Sequence, residues 1–145
     1  MVNVGHKPLV HRVAEACGFL KLAPVAMRLL RRKALSKGDA LVVAQIAGIQ
    51  AAKETSRLIP LCHPLPLDQV SVDFQFLRTG VRIVATARTV ARTGVEMEAL
   101  VAATIAALAL YDMCKAVDKR MVIGPVRLIR KTKSAAPTEP TLHLL

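Results

Sequence analysis

The sequence predicts an α+β domain, with strands gathered in hairpins and helices packed on one side of an antiparallel sheet. Three observations point there. Residues 69–89 alternate apolar and polar side chains about a turn, residues 40–58 and 93–117 carry apolar side chains at helical spacing, and residues 121–131 return to β-rich composition. A length of 145 residues suits one domain with a real core.

Taken in order, residues 18–23 alternate and read as a short strand. Pro24 then stands where a helix begins, and that helix runs to about Ala34. Residues 35–39 form a polar loop ending in Asp39, a good N-cap for a helix from Ala40 to about Leu58. Pro60, Pro64 and Pro66 stop it and force an extended, irregular segment. Val70, Val72, Phe74 and Phe76 mark one strand of a hairpin. Arg78, Thr79 and Gly80 are its turn, and Val81, Ile83 and Ala85 continue the alternation to about Thr89. Arg92, Thr93 and Gly94 lead into the long Ala-rich helix. Met121 to Lys131 is β-rich, and Gly124-Pro125 within it suits a bulge or an edge strand. The domain is expected to span 1–131. Residues 132–145, with Pro137 and Pro140, read as a poorly ordered tail.

The long helix is the most telling element. It has no charge from 99 to 111, so other protein must bury it, while Glu96 and Glu98 stand at one end and Asp112 and Lys115 at the other. Asp112 and Lys115 are three apart and share a face. Glu98 and Asp112 are fourteen residues apart, roughly 21 Å along the axis. One small substrate cannot easily bridge both ends, so a single site using both would draw them from different subunits. The bland alternative is a pair of solvated, dipole-matched helix ends.

Composition narrows the partners. Hydrophobic residues make up 53% and aromatic residues 3%, so the core is Ala, Val, Leu and Ile, and oligomerisation would add stability. Lys and Arg number 21 against 10 Asp and Glu, a net charge of +11. That balance implies an anionic partner: nucleic acid, a phosphorylated small molecule or a membrane surface. With only Phe19, Phe74, Phe76 and Tyr111, stacking on single-stranded bases is disfavoured, and no zinc-finger or RNA-recognition signature is present. Cys17, Cys62 and Cys114, without a CxxC spacing, fit free thiols in a reducing cytosol. Residues 1–8 are not an apolar run behind a basic start, and the longest uncharged apolar run is too short to span a bilayer, so a cytoplasmic protein is expected.

Chemistry could sit in three places. Pro60 and Pro64 stiffen the backbone around Leu61, Cys62 and His63, which pre-positions an imidazole to donate to phosphate or move protons. A loop histidine alone is more often satisfied by backbone, and no further ligand lies at a metal spacing. Lys37, Lys53, Arg92 and Lys131 are cations at element boundaries, ingredients of a phosphate site if they converge. Lys115, if desolvated beside an apolar helix, would have a lowered pKa and exchange protons, oriented by Asp112. An ordinary ion pair is the plainer reading.

Six blocks together resemble the cyclic pyranopterin monophosphate synthase family, an enzyme family of molybdenum cofactor biosynthesis. They are KGD at 37–39, AQIAGIQAAK at 44–53, LIPLCHPL at 58–65, TGVEMEAL at 93–100, YDMCKAV at 111–117 and MVIGPVRL at 121–128. The resemblance covers residues 1 to about 131. It implies a ferredoxin-like α+β fold and a homohexamer, a trimer of dimers with its site at the dimer interface. The implied substrate is a cyclised dihydro-GTP. Its conversion builds the pyranopterin ring, closes a cyclic phosphate and expels pyrophosphate, without cofactor, metal, nucleic acid or membrane.

Position by position, the resemblance implies that Asp112 is the catalytic acid/base, Lys115 a proton donor beside it, and Lys37 the lysine that meets the triphosphate. Leu61, Cys62 and His63 would form the substrate-contacting loop, and Met97 and Glu98 the purine-side contact. Arg12, Lys53, Glu96 and Lys131 match further pocket positions. The residue types suit the chemistry: cations for a triphosphate, a carboxylate for a guanine-derived ring edge, proton carriers for ring rearrangement. The chain departs from the family pattern at Asn3, usually Asp, and at Glu15, usually basic. It also departs at Lys131-Thr132-Lys133-Ser134, where two glycines and a tight turn are usual. A basic nucleic-acid-binding oligomer would explain the charge but none of these blocks, and an inactive scaffold would need the altered C-terminal turn to block the site.

Overall fold

The computed structural model describes residues 1–135, and the expected tail from 136 onward, with Pro137 and Pro140, lies outside the described residues. The elements are β1 (Val10–Lys21), α1 (Pro24–Arg31), α2 (Ala40–Lys53), α3 (Thr55–Leu58), β2 (Gln69–Leu77), β3 (Gly80–Ala91), α4 (Glu96–Cys114), β4 (Val122–Ile123) and β5 (Arg127–Ala135). Five strands make one antiparallel sheet in the order β2-β3-β1-β4, with β5 also paired to β1. The α+β class is as the sequence predicts. On β3 the alternate residues Val81, Ile83, Ala85, Ala87, Thr89 and Ala91 are buried. Buried residues of α2 and α4 complete the same core.

Several boundaries differ from the sequence reading, each for a physical reason. The first strand begins at Val10 rather than 18, because as a central strand it is covered so well that Val13, Ala14, Ala16, Cys17 and Gly18 are all buried and the alternation is lost. The helix expected to Ala34 stops at Arg31, with Lys33 in the left-handed region at φ 53°. The helix expected to run to Leu58 breaks at Glu54 into α2 and α3. The long helix starts at Glu96 and ends at Cys114. Residues 132–135, read as tail, continue β5 against β1: Val13 pairs Thr132, Arg12 pairs Lys133, and His11 pairs Ser134. Where family members are expected to turn on glycines, this chain prolongs an edge strand. Glu15, another departure, bonds Arg130 at 3.1 Å across the same strand pair.

Two polar contacts set the helices in place. Asp39 caps α2, accepting from the amides of Leu41 (3.2 Å) and Val42 (3.4 Å). Buried Asp118 accepts from the Ala23 amide at 2.6 Å and the Arg120 amide at 2.9 Å, tying the loop after α4 to the start of α1.

The decisive packing is α2 on α4. The stripe of α2 facing the core is small: Ala40, Ala44, Gly48, Ala51 and Ala52. Opposite it lie Ala99, Ala102, Ala103, Ala106 and Ala107 of α4. A methyl group on Gly48 would come within 2.9 Å of the Ala102 carbonyl oxygen, 3.0 Å of Val72 Cγ2 and 3.1 Å of Ala106 Cβ. Glycine is required here by proximity. By length and composition α4 could cross a membrane, but here most of that apolar surface is spent on the sheet and α2.

Gly48→Val should therefore destabilise the fold by about 3 kcal/mol through overpacking. Gly48→Ala should cost about 1 kcal/mol, because better helix propensity offsets part of the crowding. Urea denaturation of both variants measures the difference.

Candidate active site

The α3–β2 connection is held to the sheet rather than free. The Thr89 hydroxyl donates to the Pro66 carbonyl and the Asp68 amide bonds the Arg88 carbonyl at 2.9 Å, while within the connection the Cys62 amide bonds the Ile59 carbonyl at 3.1 Å. This sets Leu61, Cys62 and His63 against the first turn of α4. Together with Glu96, Met97 and Glu98 they line one cavity of about 510 Å³, completed by Val2, Val4, Lys7, Leu65, Thr93 and Gly94. An adjoining groove of about 350 Å³ shares Gly94 and Glu96 and adds Arg12 and Lys131. Of the twelve residues singled out from sequence, Leu61, Cys62, His63, Glu96, Met97, Glu98, Arg12 and Lys131 line this region or its rim.

 Eight of the twelve therefore converge here, and the other four, Lys37, Lys53, Asp112 and Lys115, do not.

The cations at the rim are already engaged. Arg12 donates to the carbonyls of Ala91 (3.1 Å) and Arg92 (3.2 Å), and Lys131 pairs with Glu96 at 3.3 Å. His63 Nε2 lies 2.9 Å from the Val2 carbonyl, the backbone contact expected of a loop histidine. Lys53, in the last turn of α2, is exposed and lines neither space.

Glu98 is the anomaly. Its side chain points into protein at 3% exposure, and Oε2 has no hydrogen-bond partner among the described residues. Burial, reinforced by the charge of Glu96, pushes its carboxyl above the usual value. Burial likewise raises the Cys62 thiol, with the Glu98 charge adding to it. An orphaned carboxylate lining a cavity is an acceptor prepared for N–H donors.

The other end of α4 holds the second cluster. Asp112 bridges two ammonium groups, Lys37 Nζ at 2.7 Å from Oδ2 and Lys115 Nζ at 2.7 Å from Oδ1, and Lys37 also reaches the Asp112 carbonyl at 3.1 Å. The bonds from Lys115 and Lys37 hold the Asp112 carboxyl down at about 2. The expectation of a desolvated Lys115 with a lowered pKa is corrected here. Lys115 is 56% exposed, and the Asp112 carboxylate raises its pKa. Asp112 and Lys115 are both charged at neutral pH, so within one chain this is a carboxylate bridging two lysines.

The amino-acid sequence has known relatives. The model of the MoaC family matches residues 1–134. The chain belongs to the MoaC family. Over 140 residues it is 51% identical to "Cyclic pyranopterin monophosphate synthase" of Thermomicrobium roseum, covering 95% of this chain and 84% of that protein. Over 134 residues it is 54% identical to human "Molybdenum cofactor biosynthesis protein 1", covering 91% of this chain but 21% of the human protein. A "Molybdenum cofactor biosynthesis bifunctional protein" of Chlorobaculum tepidum is 50% identical over 148 residues, 47% of its length. The domain thus also occurs within longer proteins.

Sequence reasoning did not single out Val2, Val4 and Lys7, which come from the N-terminal segment and carry no local pattern. Their place in the cavity depends on contacts to residues more than sixty positions away.

Glu98 makes a pH prediction. Its folded pKa lies above the unfolded value of 4.5, so the folded state keeps a proton that the unfolded state has lost. Its contribution to stability therefore falls as pH rises from 4.5 through the folded pKa. Glu98→Gln should flatten that dependence and raise stability at pH 7 by about 1 kcal/mol, read from thermal melts between pH 4 and 8.

Proposed function

We propose that this chain is a cyclic pyranopterin monophosphate synthase, a lyase. It would convert (8S)-3',8-cyclo-7,8-dihydroguanosine 5'-triphosphate to cyclic pyranopterin monophosphate and pyrophosphate, in molybdenum cofactor biosynthesis. The observation that carries the proposal is the half-identical relative of that name, 84% of whose length this chain covers. Residue chemistry supports it. Glu98 is an acceptor for the N–H edge of a guanine-derived ring, held beside Cys62, His63 and Met97. Lys37 and Lys115 are cations for the triphosphate and for charge growing on departing pyrophosphate, and Asp112 orients both. Closing the cyclic phosphate forms a bond to the α-phosphorus as the bond to pyrophosphate breaks. Proton transfer in ring formation falls to Asp112 and Lys115.

The reading includes a ferredoxin-like topology and a homohexamer built as a trimer of dimers. Supporting the first is a β-α-β-β-α-β order with β1 between β3 and the C-terminal strands. Two observations support the assembly. The clusters at Glu98 and Asp112 stand at opposite ends of α4, so a second copy would have to join them. In addition, Val42, Val43 and Ile46 of α2 and Leu108 of α4 are exposed while alanines fill the core side. Three free cysteines fit a cytoplasmic enzyme.

Purified protein should release pyrophosphate from the cyclised nucleotide, and Lys115→Ala should reduce release by at least about 100-fold with the oligomer intact. Absence of release from the unaltered protein would refute the activity. Mixing Lys115→Ala with Glu98→Gln subunits after dissociation and reassembly should recover about a quarter of the turnover. Half of random pairs are mixed, and each mixed pair has one intact site of two. No recovery would refute a site shared between subunits.

A further inference from the structure

The segment before β1 has no regular secondary structure, yet it is fastened to the cavity at two points. Arg92 Nη1 donates to the carbonyl oxygens of both Gly5 (2.6 Å) and Lys7 (2.7 Å). His63 Nε2 contacts the Val2 carbonyl, and because a carbonyl only accepts, that nitrogen carries the proton. Between these points the segment bonds itself. Asn3 Oδ1 accepts from the Gly5 amide at 2.9 Å, and the Lys7 amide donates to the Val4 carbonyl at 3.0 Å. Arg12 braces the latch from behind by binding the carbonyls of Ala91 and Arg92.

The two fastenings are unequal. The Arg92 contacts are short and charge-assisted, a strong type of hydrogen bond. All three bonds are exposed, and His63 offers one where Arg92 offers two. Residues 5–7 are therefore firmly held, while Val2 can let go. The strap also supplies the cavity with Lys7, the one Lys or Arg among its lining residues.

We propose that Arg92 is a positioning residue: it latches residues 2–7 across the cavity, holding Lys7 to meet the phosphates of the nucleotide while Val2 occupies His63 until substrate displaces it. The proposal rests on the phosphorylated substrate argued above. Arg92 acts through the strap and does not itself touch substrate.

Hydrogen exchange on the full chain tests the latch without turnover. In Arg92→Ala the amides of Gly5 and Lys7 should exchange at least about tenfold faster. Arg92→Lys should protect them, because one ammonium nitrogen can donate to both carbonyls as Nη1 does. In pyrophosphate release, Arg92→Ala should raise KM about tenfold with kcat within about twofold, and Arg92→Lys should restore KM. Lys7→Ala should reproduce the rise, and the double variant should be no worse than either single one. Unchanged exchange in Arg92→Ala, or additive losses in the double variant, would overturn the proposal. Turnover absent from the unaltered protein would instead overturn the functional reading, and exchange would still decide the latch.

Discussion

Helix α4 can lie on the sheet with α2 beside it only because α2 presents glycine and alanines to it. At Gly48 the space left is less than a methyl group needs, bounded by the Ala102 carbonyl, Val72 and Ala106. This close approach sets where both ends of α4 stand. At one end, the first turn meets the proline-stiffened loop and forms the cavity around Glu98. At the other, Asp112 meets Lys37 from the loop that leads into α2. Any change in helix separation would move both clusters, although neither contains a residue of the α2–α4 contact.

The clusters use charge in opposite ways. Around Glu98, burial and a neighbouring carboxylate disfavour ionisation, and one oxygen lacks a partner. Around Asp112, two ammonium groups in a solvated setting favour it. A ring edge with N–H donors suits the first and a phosphate chain the second, so a nucleotide-derived substrate has a matching group for each. The separation along α4 makes the second subunit part of the proposed chemistry.

Much of the fold was legible because it is written locally. The hairpin alternates, Asp39 stands before an apolar helix, and prolines end the helical run. The first half of β1 was not legible, since burial on both faces removes the alternation by which a strand is recognised. The extension of β5 to Ala135 was missed for another reason: Thr132, Lys133 and Ser134 are polar, and pairing with β1 alone makes them a strand. The strap over the cavity has no periodicity, and its fastening to His63 and Arg92 spans 61 to 87 residues of sequence.

By itself the sequence determined which chemical groups this protein has to work with: a long apolar helix with carboxylates at one end and an Asp–Lys pair at the other, a stiff loop carrying Cys62 and His63, and the six blocks that mark its family. Only the tertiary structure decided the state of those groups. It left Glu98 buried without a partner for Oε2, set Asp112 between two lysines and left Lys115 exposed and charged. It also laid Lys7 along the cavity. Protonation and hydrogen bonding depend on burial and on neighbours from distant parts of the chain, and sequence spacing carries that information only within a helix turn or a strand pair.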